Sequence, residues 1–471
     1  MITDTLINTY ITDFQGRSSI AALIDGGFVV SWASSGQDGD GFGIYAQRYD
    51  TGGAAQGDEF RVNTVTADRQ WNPSIATLAD GGFVVTWESY NQDGDGSGVY
   101  AQRYDANSEV QGDEFIVNTT AINNQQSPSI AALADGGFIV SWVSEGQDGD
   151  GAGIYAQRYN INGAEVGREF IVNTTTISNQ HTPSIAALAD GGFVVSWESY
   201  GQDGDGAGTY AQRYDASGEA QGAEFLVNTT TASHQMAPSI AALAHGGFVV
   251  TWNSYNQDGS GYGVYAQRYD ANGIELGREF RVNTATASDQ GGLSIAALTD
   301  GGFVVTWQSF GQDGDGFGVY AQRYDANGEI QGGEFRVNTM SAGHQSNSSV
   351  AALADGGFVV SWDSYGQDGS DYGVYAKRYD ADGDAIDWII PPDLSTLPIA
   401  DRLYNWAESV HPNLFPNHPD SQDAFGYYAR IYENGHALGE QDDHIYFYDG
   451  NSIVLVGTVD DFLPDAVAAG F

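Results

Sequence analysis

Seven times the chain sets an aspartate in a glycine-rich loop of the form "QDGDG": Asp38, Asp93, Asp148, Asp203, Asp258, Asp313 and Asp368. In five copies a second aspartate follows two residues on, as Asp40, Asp95, Asp150, Asp205 and Asp315. Ser260 and Ser370 replace it in the other two, the latter beside Asp371. Two carboxylates on one loop can converge on a hard cation, with carbonyls and water completing the six to eight oxygens that calcium takes. On that reading these twelve aspartates are calcium ligands. The same residues also make turns, because Asp-Gly bends tightly and an aspartate caps its own backbone. A complete "DxDxDG…E" loop is missing, so both readings stand.

A second candidate chemistry is stacking. Three residues beyond seven recurring tryptophans stand Ser35, Tyr90, Glu145, Tyr200, Tyr255, Phe310 and Tyr365. Copies differ here, as they would on a binding face. Tyr90, Tyr200, Tyr255, Phe310 and Tyr365 are the candidate ligand contacts, since an aromatic ring at a loop edge can stack on the apolar face of a sugar. Lids over the loop stem are the alternative. Ten residues beyond the tryptophans the copies differ again: Phe42, Ser97, Ala152, Ala207, Tyr262, Phe317 and Tyr372.

Other recurrent polar residues read as architecture or stay open. Seven of the 17 basic residues hold one strand position: Arg48, Arg103, Arg158, Arg213, Arg268, Arg323 and Arg378. A buried guanidinium on an aspartate or on carbonyls is expected, with anion contact as the alternative. The glutamines from Gln15 to Gln345, one per repeat, fit backbone binding and ligand contact equally. Four of the eight histidines, His411, His418, His436 and His444, lie near the end without tight ligand spacing, so a zinc site is not expected. No Ser-His-Asp, Cys-His or nucleotide-binding signature appears, and no catalytic residue is assigned.

The elements that carry these residues repeat. Trp32, Trp87, Trp142, Trp197, Trp252, Trp307 and Trp362 are each 55 residues apart. Every unit holds four strand-like runs, for example "SIAAL", "FVVSW", "TYAQRYD" and "EFLVN", with Gly-rich turns between them. The runs are apolar on both faces. Four strands per repeat and sheets covered on both sides predict an all-β, seven-bladed β-propeller. Ile7-Asn8-Thr9 falls in register with the "VNT" that ends each fourth strand, so the N-terminus should close the seventh blade. Strand direction places the acidic loops and the inter-blade segments on one face of the ring, and the tight "ADGG" turns on the other. The propeller is expected over residues 1–392. Residues 393–471 are expected to form a small α+β domain, with a helix over 399–410 and a second short helix at the end.

The repeat "DGGFVVxWxSxxQDGxGxGVYAQRYDxxG…EFxVNT" resembles one found in long secreted bacterial proteins, often beside hemolysin-type calcium-binding segments or adhesin modules. The resemblance covers about residues 6–389. It implies export and attachment at a cell surface or matrix. The "GGxGxDxUx" calcium nonapeptides of such proteins are absent here. Residues 399–465 resemble a small C-terminal domain of uncharacterised bacterial proteins, which names no activity.

Composition narrows the partners. The formal net charge is −45, from 62 acidic and 17 basic residues. Nucleic acid and anionic membrane surfaces would be repelled. There are no cysteines, so disulfides and thiolate metal sites are excluded. No apolar run approaches the roughly 18 residues of a membrane span, and the start "MITDTLINTY" lacks a classical signal peptide. The expected function is therefore multivalent recognition or adhesion, outside the cell or on its surface. A glycan or protein would sit on the "QDGDG" face, with calcium-stabilised loops. A polysaccharide-degrading enzyme using that face, or a purely structural repeat, is the alternative. Seven near-identical blades count against an enzyme, because catalysis needs different residues in different roles.

Overall fold

The computed structural model describes residues 4–388 and, beyond them, the strand segments Tyr428–Ile431, Ala437–Gln441, His444–Tyr448 and Ile453–Thr458. The chain divides into two units, Met1–Trp388 and Ile389–Phe471.

The first unit is a seven-bladed β-propeller with four antiparallel strands per blade. In blade one these are Gln15–Ala22, Phe28–Ser35, Phe42–Tyr49 and Ala55–Arg61, from the axis outward. Apolar residues on both faces of the second and third strands bind blade to blade. Val29, Ala33, Ile44 and Ala46 of blade one pack on Phe83, Val85 and Trp87 of blade two. All seven tryptophans are fully buried, and each such side chain contributes about 1.5–3 kcal/mol of hydrophobic stabilisation.

The innermost strand bulges once per blade. In blade one the register shifts between Gly16 and Ser19. Arg17 within that bulge has a positive φ of 59°, and Asn72, Ser127, Thr182, Ala237 and Asn347 repeat it at 50–54°. These bulges surround the axis on the loop face.

Closure joins both ends of the propeller. In blade one a single outer strand pairs Arg61 and Phe60 with Tyr45 and Ala46, then Gln56 and Ala55 with Arg48 and Tyr49. In blade seven Thr5–Leu6 makes the first half, pairing with Ala376 and Tyr375. Ala385–Ile386 makes the second half, pairing with Tyr379 and Arg378. The expected N-terminal closure is there, but it supplies half a strand. Asn8 Oδ1 accepts the Val374 N–H at 2.7 Å, as Asn63 does for Ile44 in blade one. Trp388 then seals the seam, with its ring 5.2 Å from Tyr49 and 5.5 Å from Phe28.

The strand segments described in the second unit form one four-stranded antiparallel sheet in chain order. The helices expected over 399–410 and at the chain end lie outside the described residues.

Candidate functional site

The acidic loops lie where strand direction puts them, but the two aspartates of a loop do different work. The first folds back on its own loop. Asp38 Oδ1 accepts the N–H of Asp40 at 3.3 Å, and all seven copies make this bond at 3.1–3.5 Å. Its other oxygen lies against the third strand. A Cβ added to Gly43 would stand 2.6 Å from Asp38 Oδ2, and the six equivalent glycines are nearly as tight, at 2.7 Å. The glycine therefore makes room for the carboxylate.

The second aspartate reaches the next blade. Asp40 Oδ2 accepts the N–H of Asp68 at 3.2 Å. Asp95, Asp150, Asp205 and Asp315 do the same for Asn123, Ser178, Ser233 and Gly343, at 3.0–3.2 Å. Ser260 substitutes its hydroxyl, accepting from Ser288 at 3.3 Å. Each receiving residue has a positive φ of 63–77°. The second acid thus pins a strained inter-blade turn.

The two aspartates of a loop therefore each make a backbone hydrogen bond of their own, one within the loop and one to the next blade. Among the described residues no three His, Asp or Glu side chains gather as a metal cluster. What each loop retains is the first aspartate's Oδ2. In Asp38, Asp148 and Asp368 this oxygen is buried with no hydrogen-bond partner among the described residues, and in Asp93 and Asp203 the amides of Asn118 and Asn228 stand beside the carboxylate. In Asp258 and Asp313 it has an asparagine Nδ2 at 3.5 Å. Burial pushes the carboxyls of Asp93 and Asp203 above their usual range.

The aromatic candidates stand at the loop edge. Tyr90, Tyr255, Phe310 and Tyr365 are exposed, at 38–48 %, and Tyr200 is half-buried between His181 and His234. Across the hairpin Tyr255 meets Tyr262, Phe310 meets Phe317 and Tyr365 meets Tyr372, with centroids 5.0–5.2 Å apart. Tyr90 faces Ser97 instead. Aromatic pairs therefore cluster in blades five to seven.

From blade seven the rings continue across the closing seam. Tyr372 lies 5.5 Å from Phe14, which lies 5.8 Å from Phe42 and 5.5 Å from Trp71. Phe42 and Trp71 are 4.5 Å apart, edge to face. Phe14 and Trp71 were not singled out from the sequence. A signal was present: the residue after each repeat glutamine varies, as Gly16, Trp71, Gln126, His181, Met236, Gly291 and Ser346.

Further in, a cavity of about 400 Å³ opens on the axis, lined by the bulges of all seven blades. Behind its wall sits a second missed set, the residue after each tryptophan. Glu88 Oε1 accepts the Ser127 N–H at 2.7 Å and Asn72 Nδ2 at 2.6 Å. Asp363 Oδ2 accepts the Arg17 N–H at 2.9 Å and Asn347 Nδ2 at 2.8 Å. Glu198 takes the Ala237 N–H at 2.8 Å. These buried carboxylates hold the strained bulges of the following blade. Desolvation raises the Glu88 carboxyl, and pushes Asp363 up to about 6.

The arginines are architectural. Arg213 Nη2 donates to Ala271 O at 2.6 Å and Arg323 to Ala381 O at 2.5 Å, each on the next blade. Arg48 pairs with Asp25, and Arg378 lies 3.5 Å from Asp355. The repeat glutamines are fully buried. Gln15 donates to Thr12 O at 2.7 Å and accepts from Asn8 at 3.5 Å, which settles them as structural.

No family model matches the chain. No curated protein matches it either. Solved structures are similar at low identity. A protein of unknown function from Dyadobacter fermentans is 11% identical, with a TM-score of 0.49 over 80% of this chain and 97% of that one. An α-L-arabinofuranosidase of Fusarium graminearum with arabinobiose is 13% identical, with a TM-score of 0.46 over 64% and 91%. The NanB sialidase from Streptococcus pneumoniae is 9% identical, with a TM-score of 0.42 over 81% and 70%. At this distance none of them assigns a family or a chemistry to the chain.

Proposed function

We propose that the propeller is a recognition module that binds glycans on its loop face, outside the cell or on its surface. The observation that supports this best is the paired, exposed aromatic edge of blades five to seven. Tyr255, Phe310 and Tyr365 each back onto a second ring, which stiffens them as platforms for the apolar face of a sugar. Similar platforms on neighbouring blades suit a polymer with repeated units, because each added contact acts at high effective concentration. Calcium enters the proposal through the first aspartates alone, as a weak stabiliser of the loops. No helix among the described residues is long and apolar enough to cross a membrane. A glycan array probed with the full chain tests the reading. Binding that is lost in a Tyr255→Ser, Phe310→Ser, Tyr365→Ser triple variant supports it. An array without hits sinks it.

One observation favours an enzyme instead: the carboxyls of Glu88 and Asp363 are raised by burial beside the axial cavity. Raised carboxyls suit a general acid. Both, however, are committed to backbone N–H groups of the neighbouring blade. Polysaccharide cleavage abolished by Glu88→Gln or Asp363→Asn in a folded variant would establish the enzyme.

A further inference from the structure

The loop-face mouth of the ring departs from seven-fold symmetry at one seam. The bulge position carries asparagine, serine, threonine, alanine or glycine in six blades, and Arg17 in blade one. Arg17 is exposed although its backbone is held at a positive φ of 59°. Its N–H is anchored on Asp363 Oδ2, which is itself fully buried. Its guanidinium carbon stands 5.5 Å from the centre of the Trp71 ring. Phe14, Phe42 and Trp71 form the adjoining aromatic wall, with centroids 4.5–5.8 Å apart.

We propose that this seam between blades seven, one and two is a further subsite of the same loop face, beyond the aromatic platforms of blades five to seven, and that it takes a saccharide bearing one carboxylate, such as a uronic acid at a chain end. This deepens the recognition reading above and rests on it. A guanidinium lying over an indole keeps its N–H donors in plane, where a carboxylate can meet two at once. The sugar ring that carries the carboxylate can then cover Phe14 and Trp71. Arg17 also feels the charges of Asp363 and Glu88, so selectivity comes from hydrogen-bond geometry rather than from a positive field. The formal charge of −45 favours a single carboxylate over a polyanion, whose remaining charges would be repelled within a screening length of about 8 Å.

The other repeats supply test residues that the backbone accepts. Asparagine occupies the bulge in two blades, as Asn72 and Asn347, at φ 50–51°. Glutamine occupies the Trp71 position in blade three, as Gln126. The full chain and its variants are titrated by calorimetry with a trisaccharide ending in glucuronic acid and with its counterpart ending in glucose. The expected preference for the acid is at least about 10-fold, the scale of one charge-assisted bidentate contact. Arg17→Asn should remove that preference and leave the neutral sugar within about 3-fold, while Arg17→Lys retains part of it. Trp71→Gln should weaken both ligands. An unchanged thermal melt shows that each variant is folded. Equal affinity for the two sugars, or an acid preference that survives Arg17→Asn, overturns this site and leaves general glycan recognition standing. If neither trisaccharide binds, the proposal is overturned, and the array decides separately whether the recognition reading fails with it.

Discussion

Lys377 Nζ lies 2.8 Å from Asp4 Oδ1, in a buried ion pair between the third strand of blade seven and the N-terminal half-strand that completes it. The other six blades carry glutamine where Lys377 stands. Lys377 also donates to Val337 O at 2.7 Å and to Thr339 Oγ1 at 2.8 Å. Burial alone would raise the Asp4 carboxyl, but the hydrogen bonds from Lys377 and Thr339 hold it below its usual value.

Breaking one side of this pair leaves a buried charge unpaired, so Asp4→Ala should destabilise the propeller by about 3–5 kcal/mol. Deleting residues 1–10 should lower the melting temperature further and expose the edge of blade seven. Because the folded carboxyl titrates low, its contribution is present above pH 4 and lost as the solution becomes more acidic than that. A melting temperature unchanged by either alteration, with a monomeric profile, would contradict the closure described here.

Asp363 predicts the opposite slope. Its carboxyl is raised to about 6 by complete burial, with the Arg17 N–H and Asn347 Nδ2 as its donors. A raised carboxyl favours the fold when protonated, so this contribution is full below about pH 4 and is lost as pH rises through 6. Asp363→Asn should therefore raise the melting temperature at pH 7–8 and flatten its dependence between pH 4 and 6. Denaturant melts across that range check it. A variant less stable than the parent at pH 8 would show that the charged form is the favoured one.

Gly43 and its equivalents make a steric prediction. Gly98→Ala would put a Cβ 2.7 Å from Asp93 Oδ2, so it should cost about 1–3 kcal/mol, as overpacking does. Pairing it with Asp93→Gly should recover much of the loss. Gly94, with nothing within 4 Å of its Cβ position, is no spatial control, because its φ of 104° makes any side chain strained.

Calcium, if held through the unpartnered Oδ2 atoms, should bind with Kd on the order of 10⁻⁴–10⁻³ M. The structure changes which loops count. Asp368 has a free buried oxygen although Ser370 replaces its partner, whereas Asp313 has an asparagine beside it. Asp368→Asn should therefore remove one site from a calorimetric titration, and Asp315→Asn should remove none. The reverse result would support the two-carboxylate reading, and heat no greater than that of magnesium would leave the loops as turns.

Much of the architecture was legible because it is periodic. The 55-residue spacing of the tryptophans, the two-faced apolar strands and the register of Asn8 with Asn63 carry blade number, strand order and closure. Ala385–Ile386 escaped notice because two residues make no pattern. The site was less legible, for a physical reason. Asp40 bonds a backbone N–H 28 residues on, and Glu88 one 39 residues on. Such bonds between blades leave no local spacing to read. Glu88 and Asp363 were hidden inside strands that read as apolar, and Phe14 with Trp71 lay in segments read only for their glutamines.

The central claim is that the aromatic loop face binds sugar. Its most direct test is the affinity of the strongest array ligand for the full chain and for a Tyr255→Ala, Phe310→Ala, Tyr365→Ala variant with an unaltered melt. At about 0.5–1.5 kcal/mol per ring, the account predicts a loss of about 10-fold or more. An affinity unchanged within about 3-fold would place the ligand elsewhere and contradict it.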